Sequence, residues 1–283
     1  LNNLELQQHL NRIHLLHPPV DGKVGGQTIA ALEDFQKLKG LPVTGNLDDR
    51  TSDALAQTSG VIKLSLQEDL ASAIVRYHLD RKLWIPFGDR RYTIFYSEGM
   101  NRDGSLNNDA PDEWNDRRFV LEVPNSGVPR LVHNGLATTE PGKFWTASSE
   151  RHRLGAARIQ LDKQFWAWQV GYHRGKSNHP ALVQTGGAVI VCRDANQDYS
   201  RAGDKTYEGL YGINQHHGYD MAKVGKASAG CLVEQSIESH FTFMKSCKSD
   251  RRYKINHGFI FCTTVTLGST LRRYLNPAII YSY

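Results

Sequence analysis

The period of the hydrophobic residues changes once along this chain, and the change divides it. In LELQQHLNRIHLL, Leu4, Leu6, Leu10, Ile13 and Leu16 fall on roughly one face of a helix. HPPVDGKVGG stops that helix, because Pro and Gly interrupt a helical run. GQTIAALEDFQKLKGL reads as a second helix, with Thr28 as N-cap, Ala31, Leu32, Phe35 and Leu38 as its stripe and Gly40 at its end. PVTGNLDDRTSDALAQT predicts a turn and a third short helix beginning near Asp48 or Thr51. SLQEDLASAIVRYHL is a further helical stretch, capped by Ser65 and striped by Leu70, Ile74, Val75 and Leu79. From Arg91 onward the texture differs. RYTIFYSEG, RRFVLEV, ARIQL, FWAWQVGYH, ALVQTGGAVIVCRD and GFIFCTTVTL are short, rich in β-branched and aromatic residues, and separated by turn formers, which predicts strands. SIESHFTFMKSCKSD reads as a helix beside them. The expected fold is therefore two-domain: a small all-α three-helix bundle over 1–62, a linker or connecting helix over 63–90, and a β-rich, mixed α+β domain over 91–283.

Composition narrows the functions. A length of 283 residues suits one large domain or two modest ones, and 40% hydrophobic with 22% charged residues is an ordinary globular balance. The net charge of +5 is mild and forms no basic block, so no nucleic-acid partner is expected. No run of about 18 apolar residues occurs, so no membrane span is expected. The cysteines at 192, 231, 247 and 262 contain no CxxC, which excludes common zinc knuckles and a dense disulfide scaffold and leaves room for one disulfide. The chain opens on LNNLELQQHL, without an apolar signal core, and its start says little about compartment.

A sixty-residue bundle has a marginal core and must pack well. Its residues Leu6-Gln7, Asp21-Gly22, Gly25, Thr28, Ala31, Phe35-Gln36, Gly40-Leu41, Val43-Thr44-Gly45, Asp48, Thr51 and Leu55 resemble, in order, the peptidoglycan-binding module found beside bacterial cell-wall enzymes. Most of them are packing and turn residues whatever the module binds. Wall binding is what the resemblance implies.

The stretch HHGYDMAKVGKASAGC, residues 216–231, carries the chemistry of the second domain. A cysteine becomes a strong nucleophile as the thiolate, and a nearby imidazole can take its proton. Ser228, Ala229 and Gly230 are small, so a carbonyl can approach Cys231, and backbone N–H groups there can hold an oxyanion. Taken alone, a cysteine in AGCLV is more often a buried small hydrophobe. The order of residues is similar to the L,D-transpeptidase signature, with His217 and Gly218 on its His-Gly and Ser228, Gly230 and Cys231 on its cysteine run. The interval is somewhat short, Val233 stands where a polar or basic residue is usual, and LYGINQHHG is a more polar approach than usual. The resemblance implies that Cys231 attacks a stem-peptide amide between a diaminoacid and D-Ala, with His217 moving the proton. An amine or water then resolves the thioester, which makes the enzyme a transpeptidase or an L,D-carboxypeptidase or endopeptidase. It follows that His217, rather than His216, should lie within about 4 Å of the sulfur. Cys231 should also titrate below an ordinary thiol. Catalytic roles fall to Cys231, His217, Ser228 and Gly230. Substrate contacts fall to His216, Gly218, Tyr211, Arg153 and Trp145, since Trp faces stack on sugars and Arg pairs with carboxylates. No cofactor or metal is expected. The expected protein is a monomer acting on peptidoglycan in the cell envelope, periplasmic or extracellular.

Three other readings compete. Asp194, Asn196 and Asp198 alternate as calcium ligands do, yet Tyr199 holds the sixth position and no Glu closes the loop, so a polar hairpin turn accounts for them as well. A zinc amidase or peptidase would need histidines such as His173 or His179 to face His217; no HExxH is present. A wall-binding protein without catalysis would keep the scaffold and bury Cys231.

Overall fold

The computed structural model describes residues 1–176 and 178–276. The first helix, α1 (Asn3–Arg12), starts in a capping box: the Asn2 side chain accepts from the Glu5 amide, and the Glu5 side chain accepts from the Asn2 amide. α2 (Gly26–Leu38) and α3 (Asp49–Gln57) complete the bundle around Leu6, Leu10, Ile13, Leu32, Phe35 and Leu55. Asp48 caps α3, as expected. Thr28 does not cap α2; it lies buried inside the helix, and its hydroxyl accepts from Gln7 Nε2 at 3.1 Å.

Two buried glutamines hold the bundle's loops. Gln7 accepts the amides of Asp21 and Gly22 and donates to the Lys23 carbonyl. Gln36 accepts the amides of Thr44 and Gly45 and donates to the Asn46 carbonyl. Each amide side chain has one acceptor and one donor end, so a single residue satisfies both edges of a turn that offers N–H and C=O together.

α4 (Leu70–Asp80) is capped by Asp69 rather than Ser65. It does not stand apart as a linker: Ile74, Val75 and Tyr77 pack into one cluster with Phe95, Phe119 and Leu121. The strands and helices that follow are β1 (Tyr92–Glu98), β2 (Asp116–Glu122), β3 (Arg130–Thr138), α5 (Lys143–Ala147), β4 (Ala156–Ile159), β5 (Gln164–Tyr172), β6 (Pro180–Gln184), β7 (Val189–Asp194), β8 (Lys205–Gly209), β9 (Gln215–His217), β10 (Leu232–Glu234), α6 (Ile237–Ser249), α7 (Arg251–Ile255), β11 (Phe261–Leu267) and α8 (Gly268–Arg273). Eight strands close into a barrel in the order β1-β11-β5-β6-β9-β10-β3-β2, and β4-β7-β8 form a separate sheet. The second domain is thus mixed α/β. Among the described residues no helix is long and apolar enough to cross a membrane.

A charged group is buried between β2, β3, β10 and α6. Arg118 and Glu234, both fully buried, meet at 2.7 Å; His133 Nε2 lies 2.8 Å from the other Glu234 oxygen, and Arg118 Nη2 donates to the Leu232 carbonyl. A buried charge persists only when paired and hydrogen-bonded. This one ties both ends of β10 to β2. The bundle docks on the barrel through Asp34, which pairs with Arg91 at 2.5 Å and also with Arg251. His17 packs against Trp166 and Phe259 at the same seam.

Candidate active site

β9 and β10 run parallel, and their register decides which histidine shares a face with Cys231. Leu232 pairs with Gln215, Val233 with His216, and Glu234 with His217. Paired side chains project to the same face, and faces alternate along a strand. His216 therefore lies on the face of Val233, and His217 on that of Glu234. Cys231, two residues before Val233, packs against the cluster of Trp114, Val224 and Val233 and so belongs to its face. His216 and Cys231 thus look the same way, about two residues apart along neighbouring strands. His217 turns toward α6, its ring centroid 5.8 Å from that of His240.

Hydrogen bonds assign the tautomers. His216 Nδ1 lies 2.9 Å from the His217 carbonyl oxygen. A carbonyl only accepts, so Nδ1 carries the proton and Nε2 keeps its lone pair. In His217 the roles are reversed, because the Tyr219 amide donates to its Nδ1 at 3.3 Å. Burial, with His173 acting in the same direction, holds His216 well below the usual imidazole range, so it is neutral at pH 7. The half-buried Cys231 thiol donates to the Gly212 carbonyl at 3.5 Å. Burial pushes that thiol up to about 11, the reverse of the expected lowering. All four cysteines are free, and the other three are buried.

The turn before Cys231 is braced from within. Ser228 Oγ donates to the Cys231 carbonyl at 2.8 Å and accepts from the Gly230 amide at 3.1 Å. Gly230 has φ +123°, and a Cβ there would stand 2.5 Å from the Ala157 carbonyl oxygen, so only glycine fits. Ser228 and Gly230 shape the turn, and the Gly230 N–H is already bonded. At Gly218 a Cβ would stand 2.3 Å from the Trp114 ring. Its small size lets that indole cover the loop, where Trp114 Nε1 donates to the Met221 carbonyl.

Beside the turn lies a cleft of about 320 Å³, whose wall includes Trp145, Tyr211, Ile213, Ala229 and Arg193. Gln184 holds the segment that carries Tyr211 and Ile213: Oε1 accepts their amides, and Nε2 donates to the Gly209 carbonyl. Of the substrate contacts expected from sequence, Trp145 and Tyr211 line this cleft. Arg153 is exposed outside its wall, and Arg193 on β7 stands inside. Asn214 is the organiser that sequence reasoning missed. It accepts from the Gln184 amide through Oδ1 and donates to His173 Nδ1 through Nδ2. The unusually polar run NQHH was its signal.

The neighbouring histidines stack. His173 lies face to face with His216 at 3.9 Å, and His179 with His217 at 3.8 Å. Imidazole binds a metal through a lone pair in the ring plane, so stacked rings send their lone pairs past one another. Among the described residues no three His, Cys, Asp or Glu side chains are arranged to hold a metal ion. The Asp194 loop is a polar turn. Asp194 accepts the amides of Asp198 and Tyr199, and Asp198 accepts that of Ser200.

Residues 3–55 match the family model described as a putative peptidoglycan binding domain. No curated protein sequence matches the chain. Among solved structures, the chain is similar to a fused Zn-dependent amidase/peptidase/peptidoglycan-binding domain-containing protein from Clostridium acetobutylicum, at 14% identity and TM-score 0.30 over 93% of this chain and 94% of that one. It is also similar to an L,D-transpeptidase from Xylanimonas cellulosilytica, at 15% identity and TM-score 0.22 over 93% and 92%. Backbones that differ this much carry no argument about activity. The family match supports an N-terminal peptidoglycan-binding domain at residues 3–55.

Proposed function

We propose that this is a cell-wall enzyme of the envelope, in which the domain at 1–62 holds peptidoglycan and the domain at 91–283 transfers stem-peptide acyl groups through Cys231. Tethering the site to its polymer raises the effective substrate concentration. The observation that carries the reading is His216: neutral, on the face of Cys231, with Nδ1 bonded to a carbonyl so that Nε2 keeps its lone pair, although in the resting site the Cys231 thiol bonds the Gly212 carbonyl and neither His216 nor His217 hydrogen-bonds the sulfur. The resting pair is an uncharged thiol and an uncharged imidazole. As Cys231 Sγ attacks the amide carbonyl, His216 Nε2 takes the thiol proton and then delivers it to the departing amine. The thioester is resolved by a second amine, which makes a crosslink, or by water, which trims the peptide. His217 supplies the carbonyl that orients His216. His179 does face His217, as a zinc peptidase would require, but the two rings stack and among the described residues no third ligand is arranged with them, which favours the cysteine reading.

The test is turnover of a stem tetrapeptide ending in diaminoacid–D-Ala. Cys231→Ala should abolish it, and His216→Ala should lower it by about 10²–10⁴-fold, the usual worth of a general base. His217→Ala, which keeps its backbone carbonyl, should cost far less. Parent rates in the Cys231→Ala protein overturn the proposal.

A further inference from the structure

Arg193 is a cation without a carboxylate partner in a cleft wall that also holds Trp145, Tyr211, Glu150 and His152. It stands on β7, between Ala157 of β4 and Lys205 of β8. Its Nη1 donates to the Gly155 carbonyl at 3.2 Å, and its guanidinium lies over the Tyr211 ring, 5.2 Å from the centroid. Its Nε is buried and has no hydrogen-bond partner. Among the described residues no carboxylate pairs with it, although Arg91, Arg118, Arg158, Arg201 and Arg252 all have one. Glu150 reaches the same cleft but is exposed and forms no ion pair with it.

A half-buried guanidinium with no carboxylate partner is costly to the free protein and useful to a ligand. Its Nε is shielded, so a carboxylate would be met by the Nη groups, whose planar fork suits two parallel hydrogen bonds. Position gives the match its meaning. Tyr211 and Ile213 bracket Gly212, whose carbonyl accepts the Cys231 thiol, and Ala229 lies two residues before Cys231. A molecule seated against Arg193 therefore extends toward the sulfur.

We propose that Arg193, flanked by Tyr211 and Trp145, is the subsite that binds a free carboxylate of the peptide substrate and so selects peptides bearing one near the scissile bond. The proposal rests on the cysteine reading only for what happens next to the bound carboxylate; binding itself needs no catalysis. Tyr211 covers the guanidinium and keeps water from screening it, and Trp145 offers a flat face to the peptide backbone. Lys205 on the adjacent strand adds charge of the same sign.

The experiment uses the full chain carrying Cys231→Ala, so that nothing is consumed. The probes are Nα-acetyl-L-Lys-D-Ala and its C-terminal amide, titrated and followed by NMR. The acid should bind at least about tenfold more tightly than the amide, which corresponds to one charge-assisted contact. Adding Arg193→Gln should remove the difference, and Arg193→Lys should keep part of it. Should the Gln variant fail to fold, the Lys variant carries the test through an intermediate ratio. Equal binding of acid and amide, or binding of neither, overturns the subsite. So does an undiminished preference in the Arg193→Gln protein. If Cys231→Ala discriminates while the parent never turns over a stem tetrapeptide, the proposed function falls and the subsite stands.

Discussion

At the scale of single residues, the direction of one hydrogen bond separates two adjacent histidines. The His217 carbonyl can only accept, and the Tyr219 amide can only donate, so His216 and His217 take opposite tautomers. The cysteine is equally specific. Burial raises its thiol to about 11, and no neighbouring cation offsets this enough to leave a thiolate at rest. Iodoacetamide should label Cys231 ahead of Cys192, Cys247 and Cys262, because only Cys231 is partly exposed. Its rate should climb about tenfold per pH unit from 7 to 10, since the thiolate fraction grows that way below the pKa. Peptide mass spectrometry after timed labelling measures this. A rate that levels off near pH 8 would mean a lowered thiol and an ion pair with imidazole.

At the scale of elements, the long amphipathic segments and the β-branched runs were legible, and the short pairing strands were not. α1, α2, β1, β5 and β11 have patterns that local burial enforces. β9 and β10 have three residues each, too few to show a period, and exist because β6 and β3 flank them in the closed barrel. The site inherits this limit. Cysteine, serine and glycine could be read from SAGC, but the face of each histidine depends on a register that only the barrel defines. The cap of α4 went to Asp69 because its carboxylate reaches the Ser72 amide, whereas Ser65 lies a turn too early. The bundle's loops show the same principle in miniature, and they can be tested. Gln36→Ala should leave the Thr44 and Gly45 amides without their acceptor, at about 0.5–1.5 kcal/mol for each hydrogen bond lost, since water can reach this turn. Hydrogen exchange on the full chain should show both amides losing protection. Unchanged protection would mean the turn is held by something other than the glutamine.

At the scale of the whole molecule, several neutral histidines make the fold sensitive to acid. Burial, with Arg252 and Arg91 nearby, lowers His17 to about 3 at the seam between bundle and barrel. Burial lowers His78, His173 and His179 to about 4. Each titrates below its unfolded value of about 6.5. Their contribution is therefore fully present above that pH and is lost progressively as the pH falls through 6.5 toward 4 and 3. The melting temperature should be level from pH 7 to 8 and fall steadily below about 6.5; a level profile down to pH 4 would contradict this placement of the histidines. At this scale the proposal is a wall-held domain whose barrel presents Cys231 as an acyl carrier. Intact-mass spectrometry of the full chain, quenched in acid after brief exposure to a stem tetrapeptide, is the decisive test. The expected result is a covalent adduct equal to the peptide minus its terminal D-Ala, located on Cys231, labile to hydroxylamine and missing from Cys231→Ala. Turnover of the tetrapeptide by the Cys231→Ala protein at the parent rate, with no adduct on either protein, would contradict it.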